Sequence, residues 1–253
     1  RALSERALRS AGKHRRHRVK DIRHFDRIAD ALDEEARLLA LVAEGDSDFE
    51  AMLWTAGQSL VAPRSIGRLP GFERAAKESA QRGWPVALRS SGGGIVPQGP
   101  GILNLSLVHV LRGEDARDLA STYRVLTAPI SRAASHLGAV SVGPVAGSFC
   151  DGNYNVVLDG RKLAGTAQRW TLRRDGSGDS AVLAHAIILC SAELEDACRA
   201  INRLCALSGV RPGVRRDSHV AGLPMDRAAF GAMIMPWLAE MDRDYRSRLA
   251  LSV

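Results

Sequence analysis

Two stretches of this sequence hold groups that could handle an anion, in settings where the backbone lets a ligand come close. In Tyr154 to Trp170, YNVVLDGRKLAGTAQRW, an apolar, β-branched run leads into Asp159-Gly160, the dipeptide favoured by a two-residue type I′ hairpin, and Arg161 begins the returning strand. The turn presents Lys162, and the small residues Gly165, Thr166 and Ala167 that follow let a backbone or a flat ligand approach. An ammonium beside main-chain N–H donors would cradle an anionic group. The same residues also fit a solvated hairpin tip, with Arg161 and Lys162 both in water. The second stretch is Ser90-Ser91-Gly92-Gly93-Gly94, directly after a strand. Three successive glycines are costly in conformational entropy and suit a loop that folds its N–H groups around a ligand. No Gly-Lys-Ser/Thr ends it, so it is not a Walker A loop, and it lacks the dinucleotide spacing; a flexible turn is the other reading.

The elements that must position these groups follow from periodicity. Ile22 to Ala43 has apolar residues at helical spacing, with Asp33, Glu34 and Glu35 on the other side. Ala51 to Ala62 reads as two short strands, Phe72 to Arg82 as a helix, Pro85 to Arg89 as a strand and Ile102 to Val110 as another. Asp115 to Leu137 has helical periodicity, which Pro129 should kink or split. A short strand at Ala139 to Val142 and a loop from Pro144 to Asn153, holding Cys150, lead to the hairpin. Val182 to Cys190 is an apolar strand interrupted by His185, and Ser191 is a suitable N-cap for a helix over Ala192 to Leu207. Asp226 to Leu249 is the last helix. This irregular alternation predicts one α+β domain, with helices flanking a mixed, largely antiparallel sheet.

Composition bounds the function. The 253 residues suffice for one large domain with a real core. No apolar run approaches the length of a bilayer span and no secretory segment is evident, so a cytoplasmic protein with no membrane partner is expected. The four cysteines, Cys150, Cys190, Cys198 and Cys205, have neither zinc-ligand nor disulfide-framework spacing, so no metal site is expected. Cys198 and Cys205, seven apart, read as core residues of one helix face. The net charge of +7 is concentrated in Arg1 to Arg27, where ten Lys or Arg face three acids. A basic arm over residues 1–28 and a single domain over residues 29–253 are therefore expected. With no aromatic before Phe25 and no reading motif, nucleic acid is not an expected partner.

Arg89-Ser-Ser-Gly-Gly-Gly94, Gly160-Arg161-Lys162-Leu163-Ala164-Gly165-Thr166-Ala167-Gln168-Arg169 and Leu183-Ala184-His185-Ala186-Ile187-Ile188-Leu189 together resemble the lipoate-protein ligase and octanoyltransferase family. The resemblance extends upstream through Leu32-Asp33-Glu34-Glu35-Ala36 and Leu53-Trp54. It implies the α+β catalytic domain shared with biotin-protein ligases, in which ATP, with Mg²⁺, and lipoate or octanoate form an acyl-adenylate that a lysine of a lipoyl domain attacks. Lys162 would then hold the oxygens of the mixed anhydride. Gly92, Gly93 and Gly94, with Ser91, would line the acyl chain and adenylate, as would Gly165, Thr166 and Ala167. Arg89 would offer its fork to a phosphate or carboxylate. His185 matches a histidine of the family motif and either shapes the site or is a strand histidine with a local hydrogen bond. Two departures leave a second reading open: Gln98 stands where ligases often have a histidine, and no accessory C-terminal domain is expected. Members without that domain either use a separate accessory subunit or are transferases that take octanoate from acyl carrier protein through a cysteine thioester. Cys150, twelve residues before Lys162, is the candidate nucleophile, since an ammonium beside a thiol favours the reactive thiolate; an inert small residue under the loop is the alternative. A non-catalytic acyl-binding subunit is a third reading.

Overall fold

The computed structural model describes residues 21–113, 118–220 and 222–250. The expected basic arm lies outside the described residues as far as Lys20, as does the expected helix start at Asp115.

A seven-stranded sheet forms the centre. Its strands are β1 (Arg23–Phe25), β2 (Phe49–Ala56), β6 (Ile102–Leu111), β7 (Val140–Gly143), β8 (Asn155–Leu158), β9 (Arg161–Leu172) and β10 (Ser180–Leu189), in the order β1-β2-β6-β10-β9-β8-β7. Within this sheet, among the described residues, only the β1–β2 pair is parallel. A second sheet, β4-β3-β5, is built from β3 (Ser59–Pro63), β4 (Val86–Arg89) and β5 (Val96–Gln98). The helices are α1 (Ile28–Ala43), α2 (Arg64–Gly67), α3 (Phe72–Gln81), α4 (Leu119–Ala134), α5 (Glu195–Leu207) and α6 (Arg227–Ala250). This is the mixed, mostly antiparallel α+β arrangement expected.

Alternation along β10 assigns the two faces. Leu183, Ile187 and Leu189 join the core beneath α1 and α5, whereas Ala184, Ala186 and Ile188 join the core beneath α4 and α6. His185 shares the first face, opposite Ala167 of β9, and so points toward α1. All ten residues of β6 are buried, each large aliphatic among them contributing about 1.5–3 kcal/mol. Helix α1 buries Ala31, Leu38, Leu39 and Val42 on one stripe, and Glu35 falls on that same stripe.

Several expected boundaries shift for identifiable reasons. Arg23–Phe25, expected to be helical, pairs with Trp54, Thr55 and Ala56 as β1. The two strands expected within Ala51 to Ala62 fall in different sheets. Pro129 does not split α4, which is capped by the Asp118 carboxylate accepting from Ala120 and Ser121 N–H. Ser191 is not an N-cap: its N–H donates to Gly101 O, and the helix starts only at Glu195.

That contact makes Gly101 a rigid joint between the β5–β6 turn and the end of β10. Its φ is +76°, its carbonyl accepts from Cys190 and Ser191 N–H, and an added Cβ would meet Ser191 C and Ala192 N at 2.3 Å. Gly101→Ala should therefore lose about 2 kcal/mol or more in a urea titration.

Candidate active site

The hairpin forms as expected. Asp159 (φ +49°) and Gly160 (φ +76°) adopt the left-handed conformations of a type I′ turn. Arg161 is exposed, but Lys162 is completely buried, so the solvated tip with two free cations is not what forms. The Lys162 side chain turns inward across Gly165, where an added Cβ would lie 2.7 Å from its Cε. Glycine there makes room for the lysine.

The buried ammonium donates to the carbonyls of Phe149 and, at 2.9 Å, Cys150, and lies 5.0 Å from the Phe149 ring centroid. Phe149 N–H donates to His219 Nε2 at 3.0 Å, and the two rings stack with centroids 4.2 Å apart. Asp151 closes the same loop by accepting from Val145 N–H and Asn155 Nδ2. Under these restraints Cys150 takes φ +51°; among the described residues Asp159 is the other non-glycine with positive φ. Such a conformation persists only where the surroundings over-determine it. Burial pushes the Lys162 ammonium down to about 8, partly offset by its attraction to Cys150 and Asp151.

The glycine loop closes over the thiol. Gly94 N–H donates to Cys150 Sγ at 3.0 Å. A Cβ on Gly93 (φ +99°) would lie 2.5 Å from that sulfur, and one on Gly94 3.0 Å from Cys150 Cα. Gly92 has open space instead. Arg89, 5% exposed, donates to Gly92 O and Gly94 O at 2.8 and 2.7 Å and to Val61 O at 3.1 Å. Its fork thus holds the loop, which corrects the expectation of a fork free for a ligand anion.

Beside the thiol is a largely apolar cavity. Gly165, Ala167, Ala186 and Ile187 line it from the sheet, Leu32 from α1, and Trp54, Val61 and Val96 from the strands beyond. Gln98 and Asn104 exchange reciprocal amide hydrogen bonds of 2.9 and 2.8 Å in its wall, both buried. Cys150, Arg89, Thr166, Glu35 and His185 complete the lining. Thr166 Oγ1 donates to Tyr154 O. His185 bonds Glu35 on one ring nitrogen and Ser91 on the other.

The structure thus brings Lys162, Cys150, Arg89, Gly93, Gly94, Gly165, Thr166, Ala167, Ser91 and His185 into one region. Sequence reasoning gave no role to Glu35, Trp54, Asn104 or His219. His219 lies in an irregular loop with no periodic signal, and its placement depends on a bridge to Lys162. Glu35 was expected with Asp33 and Glu34 on the polar side of its helix, but it falls on the buried stripe of α1. Among the described residues no three His, Cys, Asp or Glu converge as metal ligands would, and no helix is long and apolar enough to cross a membrane.

A half-buried thiol in the wall of an apolar cavity, with a buried ammonium behind its loop, forms the candidate site on this α+β sheet. Comparison with known proteins gives the family: residues 27–235 match the lipoyl protein ligase A/B catalytic domain, and the chain belongs to that family, whose members are enzymes of lipoylation. An uncharacterised protein of Cupriavidus necator is 43% identical over 174 residues, covering 65% of this chain and 68% of that one. An octanoyl-[GcvH]:protein N-octanoyltransferase of Geobacillus kaustophilus is 31% identical over 156 residues. That match covers 60% of this chain and 55% of the transferase, so the alignment spans about half of that relative. Among solved structures, lipoate-protein ligase A bound with ATP superposes with a TM-score of 0.62 at 15% identity, covering 87% of this chain and 85% of that one. A protein of T. acidophilum with bound lipoic acid gives 0.61 at 16%, with the same coverages. At these identities the likeness is one of fold.

Two measurements follow from the geometry. Burial pushes the Cys190 thiol up to about 12 and Cys198 up to about 11, and raises Cys205 as well, whereas Cys150 is partly exposed. Iodoacetamide at neutral pH should alkylate Cys150 at least about tenfold faster than the other three, read by peptide mass. Burial and the neighbouring Lys162 charge push His219 from 6.5 down to about 4. Between those values the unfolded chain binds the extra proton, so stability is complete above pH 6.5 and falls as the pH drops toward 4. Urea titrations at pH 7.5 and 4.5 should show a loss larger by about 2–3 kcal/mol in the parent than in His219→Gln.

Proposed function

We propose that this protein is an acyltransferase that moves an octanoyl group from an acylated carrier protein to a lysine of a lipoyl domain, through a thioester on Cys150. The observation that carries this reading is the setting of the Cys150 sulfur. It lies at the wall of an apolar cavity, on a backbone held at positive φ, and receives a hydrogen bond from Gly94 N–H. Such a bond is stronger to a thiolate than to a thiol. The family, and the octanoyltransferase name carried by one relative, support the same chemistry.

In the first step Cys150 Sγ attacks the acyl carbonyl carbon. A C–S bond forms, the bond to the donor breaks, and the donor's leaving atom takes up the thiol proton. In the second step the acceptor amine attacks the thioester, a C–N bond forms and the C–S bond breaks. The apolar cavity holds the acyl chain through both steps, so the carbonyl stays against the sulfur. Lys162 keeps Cys150 in its reactive conformation from behind.

Adenylation of lipoate or octanoate with ATP and Mg²⁺ is the second reading, favoured by likeness to a ligase fold bound with ATP. It fits the residues less well. An acyl-adenylate calls for cations free to meet its phosphate, and four of the five donors of Arg89 and two of the three of Lys162 are already committed to main-chain carbonyls. Sequence alone ranks the ligase first; these commitments reverse the order. We assign the reaction to the cytoplasm, where four unpaired cysteines stay reduced.

Intact-mass analysis of an unmodified lipoyl domain separates the readings. The protein should octanoylate it from an octanoylated carrier protein without nucleotide. Cys150→Ser should lower that rate by at least about 10³-fold, with the octanoyl mass found on Cys150 of the parent. Modification that requires ATP and free acid, and survives Cys150→Ser, establishes the ligase instead.

A further inference from the structure

A continuous chain of hydrogen bonds crosses the molecule beside the thiol. Trp54 Nε1 donates to Ser106 Oγ at 2.8 Å, and Ser106 donates to Glu35 Oε1 at 2.6 Å. Glu35, 3% exposed, faces His185 Nδ1 at 2.9 Å, and His185 Nε2 meets Ser91 Oγ at 2.9 Å. Because Nδ1 faces a carboxylate it carries the ring proton, which leaves the Nε2 lone pair to accept the Ser91 hydroxyl. Trp54 and Ser106 fix one carboxylate oxygen, so Glu35 cannot turn away from the imidazole. A carboxylate, an imidazole and a hydroxyl in this order can draw a proton from an incoming nucleophile.

The position of this chain says which proton. Glu35 and His185 line the acyl cavity together with Cys150, and they also line a second, outer groove whose wall includes Ser91. The relay therefore spans the partition between the held acyl group and the surface from which an acceptor must enter. An acceptor lysine arrives as an ammonium, with a reference pKa of about 10.4, so at neutral pH fewer than about one in a thousand is nucleophilic. Nothing in the thioester itself removes that proton.

We propose that Ser91, His185 and Glu35 form the proton relay that activates the acceptor lysine, an inference that rests on the thioester reading. Ser91 Oγ takes one proton from the ammonium as its own passes to His185 Nε2, and Glu35 holds the resulting imidazolium. The freed nitrogen lone pair forms the C–N bond, and the C–S electron pair returns to Cys150 Sγ. The second surplus proton on nitrogen goes to that thiolate. The products are an amide with one N–H, the Cys150 thiol and one proton on His185, which leaves through the outer groove. Ser91 and His185 move the proton, while Glu35 is a positioning residue. The charged and titratable groups around the imidazole are Glu35 and Asp33 from α1, Arg89 from β4, Cys150 from its loop, Arg169 from β9, and Arg64 and Arg174 at the groove.

The test preloads Cys150 with octanoyl from a thioester donor and follows the acyl-enzyme by intact mass as it reacts either with a lipoyl domain or with hydroxylamine, an amine already unprotonated at neutral pH. In His185→Ala the ratio of lysine to hydroxylamine rates should fall by about 10²-fold. Its lysine rate should also rise about tenfold per pH unit up to pH 9, following the free amine. Glu35→Gln keeps the size and a hydrogen bond and should lower the ratio by about tenfold, which supplies the test if the alanine variant does not fold. Equal slowing toward both amines, or an unchanged ratio, overturns the relay. Failure of the parent to form an acyl-enzyme overturns the thioester reading beneath it.

Discussion

The structure of the site depends on one buried ammonium. Lys162 is placed beneath the Cys150 loop by the Asp159-Gly160 turn, and its charge, out of water, is stabilised by the Phe149 and Cys150 carbonyls and the Phe149 ring. A desolvated cation with strong acceptors on one side pulls those acceptors to itself. The peptide between Phe149 and Cys150 is therefore fixed, and the backbone twist at Cys150 is a consequence. The strain is stored in the loop and borne by the β8–β9 hairpin, whose register is anchored in the main sheet.

A second restraint meets it from the opposite side. Arg89 ends β4 in the small sheet and gathers the carbonyls of Gly92 and Gly94, so the glycine loop is held by its oxygens and presents an N–H to the sulfur. The thiol thus lies between two sheets that pack on each other, each contributing one buried cation. Neither cation need touch a ligand to matter, because each orients backbone dipoles around the Cys150 sulfur.

Much of this was legible in the sequence, for physical reasons. Asp159-Gly160 is a local signal of backbone conformation, and the hairpin formed where those residues stand. The three glycines marked a place where backbone must come close, although the partner of Gly93 and Gly94 proved to be Cys150, fifty-odd positions away. What the sequence concealed was direction. Period-two alternation puts Lys162 on one face of its strand, but only the missing Cβ of Gly165 and the acceptors beyond it show that the side chain runs inward. Glu35 read as a member of an acidic cluster because its partners, Ser106 and His185, come from strands far along the chain. The end of β10 misled in the same way: Ser191 has the chemistry of a helix cap, but Gly101 captured its N–H first.

The paired amides in the cavity wall have a further meaning. Gln98 and Asn104 are bonded to each other, and Asn104 reaches Trp54 O besides, so the two amides are held together in the wall. A hydrocarbon tail that ends short of them gains contact with the aliphatic wall. One that pushes further must prise these buried amides from each other, at a cost of about 1–3 kcal/mol for each group left unmatched. If the cavity holds an acyl chain as proposed, such a wall would act as a stop on a gauge, with length judged by the polar bonds that an extra methylene would break.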